Sequence, residues 1–365
     1  MFASGLMPSI TRVLTVVGAR PQFVKAAVVS RALRDHGDMN EVLVHTGQHF
    51  DNNMSDVFFH ELDILAPKFN LGIGGGSHGE NTGRALQALE RVMDEERPDC
   101  VLVYGDTDST LAGALAAAKM QIPIVHVEAG LRSFNRRMPE EINRVLTDHL
   151  SSLLFAPSPA ALKNLDEEGI RGEKVKHVGD VMFDAVRIFT DVASRRSQIL
   201  GALDVSPGRY ALATVHRKEN TDDPEKLRQI LEGLSHSAMR VILPLHPRTR
   251  KRLSEFGLQP SAAIEIVEPV GYLDMLWLER NAAMILTDSG GVQKEAYFHG
   301  VPCATLREET EWVELVDGGF NRLVGADVDA IARALREHSF PTDVPNIYGS
   351  GYAANEIASI LGAFR

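Results

Sequence analysis

A chain of 365 residues is longer than one hydrophobic core usually covers, so two domains are the natural expectation. The apolar fraction of 44% and charged fraction of 24% are those of a soluble globular protein. A net charge of -11 argues against nucleic acid or an anionic membrane as partner, because phosphate-rich partners select basic surfaces. An anionic ligand must then be held by a local cluster of positive charge. Cys100 and Cys303 lie far apart in apolar segments, which suits two reduced, buried thiols of a cytoplasmic protein and not a disulfide framework. The opening MFASGLMPSITR carries no basic leader and reads as a loose tail over residues 1 to about 10, and no apolar stretch is long enough to span a bilayer.

Beyond the tail, short apolar runs alternate with amphipathic segments. RVLTVVG leads to the helical pattern VKAAVVSRALRDH, EVLVHTG is followed by GRALQALERVMDEE, and CVLVYGD by TLAGALAAAKM; PIVHVEA, LLFAPS and VKHVGD complete the set. Continuous Val/Leu/Ile runs mark strands covered on both faces, and their alternation with helical pattern marks a parallel, doubly wound sheet. After Gly179 the rhythm restarts with RYALATVH, RVILPLH, AIEIVEP, MILTDSG, PCATLR and NRLVG. The expected fold class is therefore α/β, with two Rossmann-like domains facing across a cleft. They are placed at 11–178 and 179–349, with a C-terminal helix at 350–365 packing back on the first.

In open parallel sheets ligands collect outside the carboxyl ends of the strands. There this chain puts Arg20 and Lys25 (GARPQFVK), Asp106 (YGDTDS), Glu128 and Arg132 (HVEAGLR), His216 and Arg217 (HRKEN), His246 and Arg248 (HPRTR), and Ser289 to Glu295 (SGGVQKE). Each has a bland reading. Asp106 and Ser289 are good helix N-caps, and Glu140 and Glu141 after Pro139 complement a helix dipole. His216 and His246 could be structural, and Arg136, Arg137 and Arg144 could be solvated or ion-paired. Their coincidence at strand ends shifts the balance towards chemistry. DSGG after the strand MILT offers backbone N–H groups at a helix N-terminus for a diphosphate, and Glu295 further along that helix can accept from ribose hydroxyls. Arg20, Lys25 and His216 add positive charge, so a nucleotide diphosphate accounts for the set.

Other signals carry less. The G-x-G-x-x-G match from Gly74 to Gly79 follows no convincing strand, so no nicotinamide or flavin cofactor is inferred. Asp106 and Asp108 in DTD resemble a metal-holding aspartate pair, but two similar halves of this kind usually bind nucleotide diphosphates without metal. HTGQH sits at a strand end rather than along one helix face, which disfavours zinc, and neither a Walker lysine loop nor a G-x-S-x-G elbow is present.

GARPQFVK, VYGDTDST, HVEAGLRS, PEEINR, HRKEN and TDSGGVQKEA, in that order, resemble the non-hydrolysing UDP-N-acetylglucosamine 2-epimerase family from about residue 12 to the C-terminus. The resemblance implies a glycosyltransferase type B fold, a cleft-bound UDP-sugar, no metal, no redox cofactor, and a homodimer that supplies activated N-acetylmannosamine for surface polysaccharides. It also implies a reaction. The C1–O bond to UDP breaks as the C2 proton leaves, giving a glycal, and UDP then adds back as a proton reaches the opposite face of C2. By matching motifs, Asp106, Glu128 and Glu140 become acid/base candidates, with the face each serves left open, and His216 lies beside the diphosphate. Arg20, Lys25, Ser289, Gly290, Gly291 and Glu295 match UDP-binding positions, and Arg144 is expected to orient Glu140 or a phosphate.

The chain also departs from the common family pattern. Gln22 stands for the usual Glu of GARPE, Lys294 for a second Glu, and Trp312 of TEWV for the arginine of TERP. Gln48 and His49 keep part of the regulatory motif while FDNN does not. With PVGYLDMLWL, these variants are similar to a subgroup acting on UDP-2,3-diacetamido-2,3-dideoxyglucuronate. Loss of a glutamate and gain of a lysine would suit a substrate with an extra carboxylate, or could be surface drift. UDP-N-acetylglucosamine is the first expectation and the uronate the alternative. A metal-independent glycosyltransferase, a hydrolysing epimerase and a non-catalytic UDP-sugar sensor are the readings from other classes.

Overall fold

The computed structural model describes residues 11–48, 62, 64, 66–337 and 339–364. The tail expected at residues 1–10, His49 with the FDNN segment, and the side chain of Arg20 lie outside what is described. The chain divides into two units, Met1–Ala185 with Asn346–Arg365, and Val186–Pro345.

The first unit holds a sheet of seven strands, β1 (Thr11–Val17), β2 (Met39–His45), β3 (Phe69–Asn70), β4 (Cys100–Tyr104), β5 (Ile124–Val127), β6 (Leu153–Ala156) and β7 (Val175–His177), in the spatial order 3-2-1-4-5-6-7. The second holds six strands, β8 (Tyr210–Thr214), β9 (Arg240–Pro244), β10 (Ile264–Val267), β11 (Met284–Thr287), β12 (Cys303–Thr305) and β13 (Asn321–Leu323), in the order 10-9-8-11-12-13. Every pairing in both sheets is parallel. The two sheets thus repeat one winding, and each reverses direction at a central pair, β1/β4 in one and β8/β11 in the other. Such a reversal leaves a crevice at the carboxyl ends of the central strands, since the helices that follow leave on opposite faces.

The apolar runs form strands because both their faces are covered. Along β8, Ala211 and Ala213 enter a core with Leu227, Ile230 and Leu234 of the helix Pro224–Ser235, whereas Tyr210 and Leu212 enter a separate core with Leu278 and Ala296. Successive side chains point to opposite faces, so both cores must be apolar and the run reads as continuous. In the first unit Val16, Val44, Val101 and Val103 pack under Leu89 and Met93 of the helix His78–Glu96 and under the alanines of Asp108–Lys119.

The C-terminal helix Ala353–Ala363 belongs to the first unit, where it packs on the helix Arg20–His36. The buried carboxylate of Asp184 accepts from the N–H groups of Ala353 and Ala354 at 3.1 and 2.9 Å, closing the start of a helix far away in sequence. Beside it, Gly179 has φ +85°, and a Cβ there would stand 2.7 Å from the carbonyl oxygen of Tyr348. Gly208, with φ +69°, has open space around its missing Cβ. Gly208→Ala should therefore cost only the left-handed backbone penalty, about 1 kcal/mol, and Gly179→Ala at least about twice that. Urea unfolding of the two variants checks this, and equal losses would contradict the steric argument.

Candidate active site

At the β1/β4 crevice the first polar bridge is Gln22. Its Oε1 accepts from the N–H groups of Gly18 and Ala19 at 2.8 and 3.0 Å, and its Nε2 donates to the carbonyl of Tyr104 at 2.8 Å and to Thr110 Oγ1 at 2.9 Å. Two N–H donors at one end and a carbonyl at the other leave only one orientation for the amide. Gln22 is 1% exposed and Lys294 is 2% exposed, so surface drift does not explain either departure from the family pattern. Lys294 Nζ sits 4.0 Å from the centroid of the Trp312 ring, and the indole N–H donates to the carbonyl of Gly290 at 2.9 Å. Trp312 and Lys294 therefore brace the start of the helix Gly290–His299.

The acidic candidates stand at adjacent strand ends. Glu128 follows β5, with Oε2 2.5 Å from Lys25 Nζ and both side chains buried. Its backbone is left-handed, φ +73°, a costly state for a residue with a side chain. It is held because the N–H groups of Glu128 and Ala129 both donate to the carbonyl of Phe155, at 3.1 and 3.0 Å. Gly105, with φ +60°, borders the pair: a Cβ there would lie 3.5 Å from Lys25 Nζ and 3.6 Å from Glu128 Oε1. Asp106 follows Gly105 and pairs with the guanidinium of Arg144.

Arg144 pairs with acids other than Glu140. Besides Asp106, its NH1 reaches Glu141 Oε2 at 3.1 Å, so the contact expected for Glu140 is made to the neighbouring acid. Three residues apart, Glu141 and Arg144 share the inward face of the helix Pro139–Leu150, and Glu140 is exposed in its first turn. Glu141 also accepts from Ser133 N and Oγ, both at 2.9 Å, and from Phe134 N at 3.0 Å, which ties the loop ahead of the helix to its first turn. Asp108, the second acid of DTD, accepts from Asn143 at 3.2 Å and stands 2.8 Å from His78 Nδ1.

Behind these acids lies a charged layer that sequence reasoning missed. His126 is fully buried, with Nδ1 2.7 Å from Asp148 Oδ1 and Nε2 2.8 Å from the carbonyl oxygen of Gly105. Asp148 also accepts from Gly130 N at 3.0 Å and Arg132 NH1 at 2.7 Å, and Arg132 forks onto Glu168 with two bonds of 2.7 Å. Burial by itself pushes the Asp148 carboxyl up, but the hydrogen bond and charge of His126 and the Arg132 guanidinium outweigh it and hold Asp148 below the usual carboxylate range. Arg132, expected among the strand-end residues, thus holds this layer together. A histidine inside the otherwise apolar IVHV was the available signal.

At the β8/β11 crevice the bridge is Asp288, fully buried. It accepts from His216 N at 3.1 and 3.0 Å, from Arg217 N at 3.0 Å and from Asn220 Nδ2 at 3.1 Å, and its Oδ1 lies 3.0 Å from His216 Nδ1. Burial pushes its carboxyl up, yet the bond and charge of His216 and the backbone N–H groups bring it below the ordinary value. An ionised partner at Nδ1 leaves the remaining ring nitrogen of His216, on a side chain 37% exposed, for acid or base work. The His246 ring lies 5.4 Å away, and its Nδ1 accepts from Arg248 N at 3.1 Å, capping the next helix.

One residue past Asp288, Ser289 caps the helix Gly290–His299. At Gly290 a Cβ would meet the carboxylate of Glu311, with Oε1 at 2.3 Å, so that side chain would have to move; Gly291 is exposed, and a Cβ there would make only ordinary contact with Ser289 Oγ at 3.9 Å. Exposed N–H groups at a helix start suit an anion. Glu295 is buried on this helix and accepts from the Tyr272 hydroxyl at 3.2 Å. Lys25, Glu128, Asp106 and Arg144 thus lie at the strand ends of one sheet, and His216, Ser289, Gly290, Gly291 and Glu295 at those of the other.

The UDP-N-acetylglucosamine 2-epimerase family model matches residues 31–362. The UDP-2,3-diacetamido-2,3-dideoxy-D-glucuronate 2-epimerase of Pseudomonas aeruginosa is 51% identical over 357 residues, covering 96% of this chain and 99% of the relative. A crystal structure of the Methanocaldococcus jannaschii UDP-GlcNAc 2-epimerase in complex with UDP-GlcNAc and UDP superposes with a TM-score of 0.90 at 44% identity, covering 97% of this chain and 100% of that one. The Neisseria meningitidis enzyme bound to UDP-GlcNAc gives 0.87 at 32% identity, covering 96% and 99%.

The Gln22 bridge yields a test. In Gln22→Glu, an ionised carboxylate would face the Tyr104 carbonyl without a proton to donate, which should lower stability by about 1–3 kcal/mol at pH 8. Acidification to pH 5 should shrink that deficit, because the protonated acid regains one O–H donor. Urea titrations of both proteins at each pH measure it, and a deficit that grows on acidification would contradict the assignment.

Proposed function

The chain belongs to the UDP-N-acetylglucosamine 2-epimerase family, and from that premise we propose that it inverts C2 of a UDP-2-acetamido sugar, with UDP-N-acetylglucosamine to UDP-N-acetylmannosamine as its reaction. The C2 hydrogen is not adjacent to a carbonyl, so its direct removal would have no stabilised anion to form. Elimination avoids this: a base takes the C2 proton, the C–H electrons become the C1=C2 bond of a glycal, and the C1–O electrons leave with UDP. Re-addition of UDP at C1, with a proton delivered to the opposite face of C2, gives the epimer. No electrons are gained or lost overall, so the route needs no redox cofactor. It needs two proton-transfer groups and cations for the departing diphosphate.

The observation that carries this reading is the pair of carboxylates at the adjacent ends of β4 and β5, each beside its own cation: Asp106 with Arg144, and Glu128 with Lys25. Glu140, exposed in the first turn of its helix, is the third acid/base candidate. His216, oriented by Asp288, assists departure and return of UDP, the start of the helix Gly290–His299 with Ser289, Gly290 and Gly291 holds the diphosphate, and Glu295 the ribose. Arg20 is assigned to the diphosphate by its motif position alone.

The same chemistry on UDP-2,3-diacetamido-2,3-dideoxyglucuronate is a second reading, favoured by the relative from Pseudomonas aeruginosa and by the buried Gln22 and Lys294. Each leaves one negative charge fewer near the strand ends than the glutamate of the common pattern would, which suits an additional substrate carboxylate. We further propose a cytoplasmic homodimer serving surface polysaccharide synthesis; the exposed Ile142 and Leu146, one turn apart on Pro139–Leu150, support association. Among the described residues no helix is long and apolar enough to cross a membrane.

Incubation in D₂O with each UDP-sugar, without added metal or nicotinamide, should place deuterium at C2 of the epimer, and the ratio of kcat/KM values chooses the substrate. Asp106→Asn and Glu128→Gln should each slow C2 exchange by about 10²–10⁴-fold with UDP affinity nearly kept. Unimpaired exchange in both variants would remove them from proton transfer.

A further inference from the structure

The second unit buries another carboxyl group that the proposed chemistry does not use. Glu279 lies on the helix Tyr272–Asn281, which packs against Gly290–His299, and its side chain is fully enclosed. Neither of its carboxyl oxygens has a donor in hydrogen-bonding geometry. Its titratable neighbours are Glu295 and His299 on the facing helix, Tyr210 on β8 and Cys303 on β12, with His299 Nε2 4.0 Å from Glu279 Oε2.

None of these neighbours supplies a positive charge. Burial, aided by the charge of Arg280, keeps His299 neutral, its pKa pushed down to about 3, and burial likewise pushes the Cys303 thiol and the Tyr210 phenol up. Two carboxyl groups packed together in such a setting cannot both ionise. Burial first and then the Glu295 carboxylate hold Glu279 well above the usual carboxylate range. Glu295 keeps the Tyr272 hydroxyl as a donor at 3.2 Å.

We propose that Glu279 is a positioning residue for nucleotide binding: held as a neutral carboxylic acid, it donates its proton to the Glu295 carboxylate and fixes the oxygen that accepts from the ribose hydroxyls. This deepens the proposed function and rests on it, since Glu295 has that task only if the site takes UDP. It also separates from a merely structural role. Replacing an unpartnered buried carboxyl by an apolar side chain of similar size relieves desolvation, so a structural Glu279 predicts a Glu279→Met protein at least as stable as the parent, with UDP binding unchanged.

The test is calorimetric UDP binding, thermal unfolding and steady-state kinetics on the full-length parent, Glu279→Met, Glu279→Gln and Glu295→Ala. Glu279→Met should bind UDP about tenfold more weakly than the parent, with KM raised and kcat changed less. Glu279→Gln keeps an N–H donor and should bind UDP within about threefold of the parent. Infrared spectra at neutral pH should show a protonated carboxyl band that is absent in Glu279→Gln and shifts when UDP is added. That readout does not depend on Glu279→Met folding. Unchanged UDP affinity in Glu279→Met beside weakened binding in Glu295→Ala, equal losses in Glu279→Met and Glu279→Gln, or the absence of the infrared band would overturn the inference and leave the proposed function standing. A parent protein that does not bind UDP would overturn both.

Discussion

In each sheet, a buried polar side chain must bridge the two central strands where the winding reverses. Helices leaving on opposite faces strip the strand-end backbone of partners, and a buried N–H or carbonyl without one is expensive. Gln22 answers this at β1/β4 by accepting from Gly18 and Ala19 while donating to Tyr104. Asp288 answers it at β8/β11 by accepting from His216, Arg217 and Asn220. The bridge has to be an amide in one case because donors and a carbonyl face it together, and it can be a carboxylate in the other because the N–H groups facing it are all donors.

These bridges position the candidate site residues. Tyr104 leads through Gly105 to Asp106, so holding the Tyr104 carbonyl holds the turn that carries the acid. His126 braces the same turn from the other side through the Gly105 carbonyl and ends two residues before Glu128. Asp288 orients His216 while its own chain neighbour, Ser289, starts the helix that suits a diphosphate. A side chain positioned by packed partners on rigid elements holds its geometry without reorganising as charge develops.

For an acidic protein proposed to bind an anion there is a second problem, since three of the described cations near the strand ends are already paired. Lys25 is taken by Glu128, Arg144 by Asp106 and Glu141, and Arg132 by Asp148 and Glu168. Buried pairs of this kind are poor sources of stability, because desolvation offsets the attraction. Their value lies in the side-chain positions they fix. Where no cation is supplied, as around Glu279, a carboxyl has to stay neutral, and the protein gains a donor in place of an acceptor. The buried Lys294, stacked on Trp312, braces the helix Gly290–His299 through a ring whose indole N–H donates to the Gly290 carbonyl.

The sequence by itself determined the α/β class, the winding in two sheets and the family, because hydrophobic period and the order of short motifs are local properties of the chain. It also singled out Lys25, Asp106, Glu128, His216 and the turn at Ser289. Tertiary structure decided which charges are occupied and by whom: Arg144 on Glu141 in place of Glu140, Arg132 in a buried layer with Asp148, and Gln22 and Lys294 inside the fold. Those partners are remote in sequence: Gln22 and Tyr104 are 82 residues apart, His126 and Asp148 22, and Arg132 and Glu168 36. Burial and pairing arise only when such distant segments pack, so spacing along the chain carries no record of them.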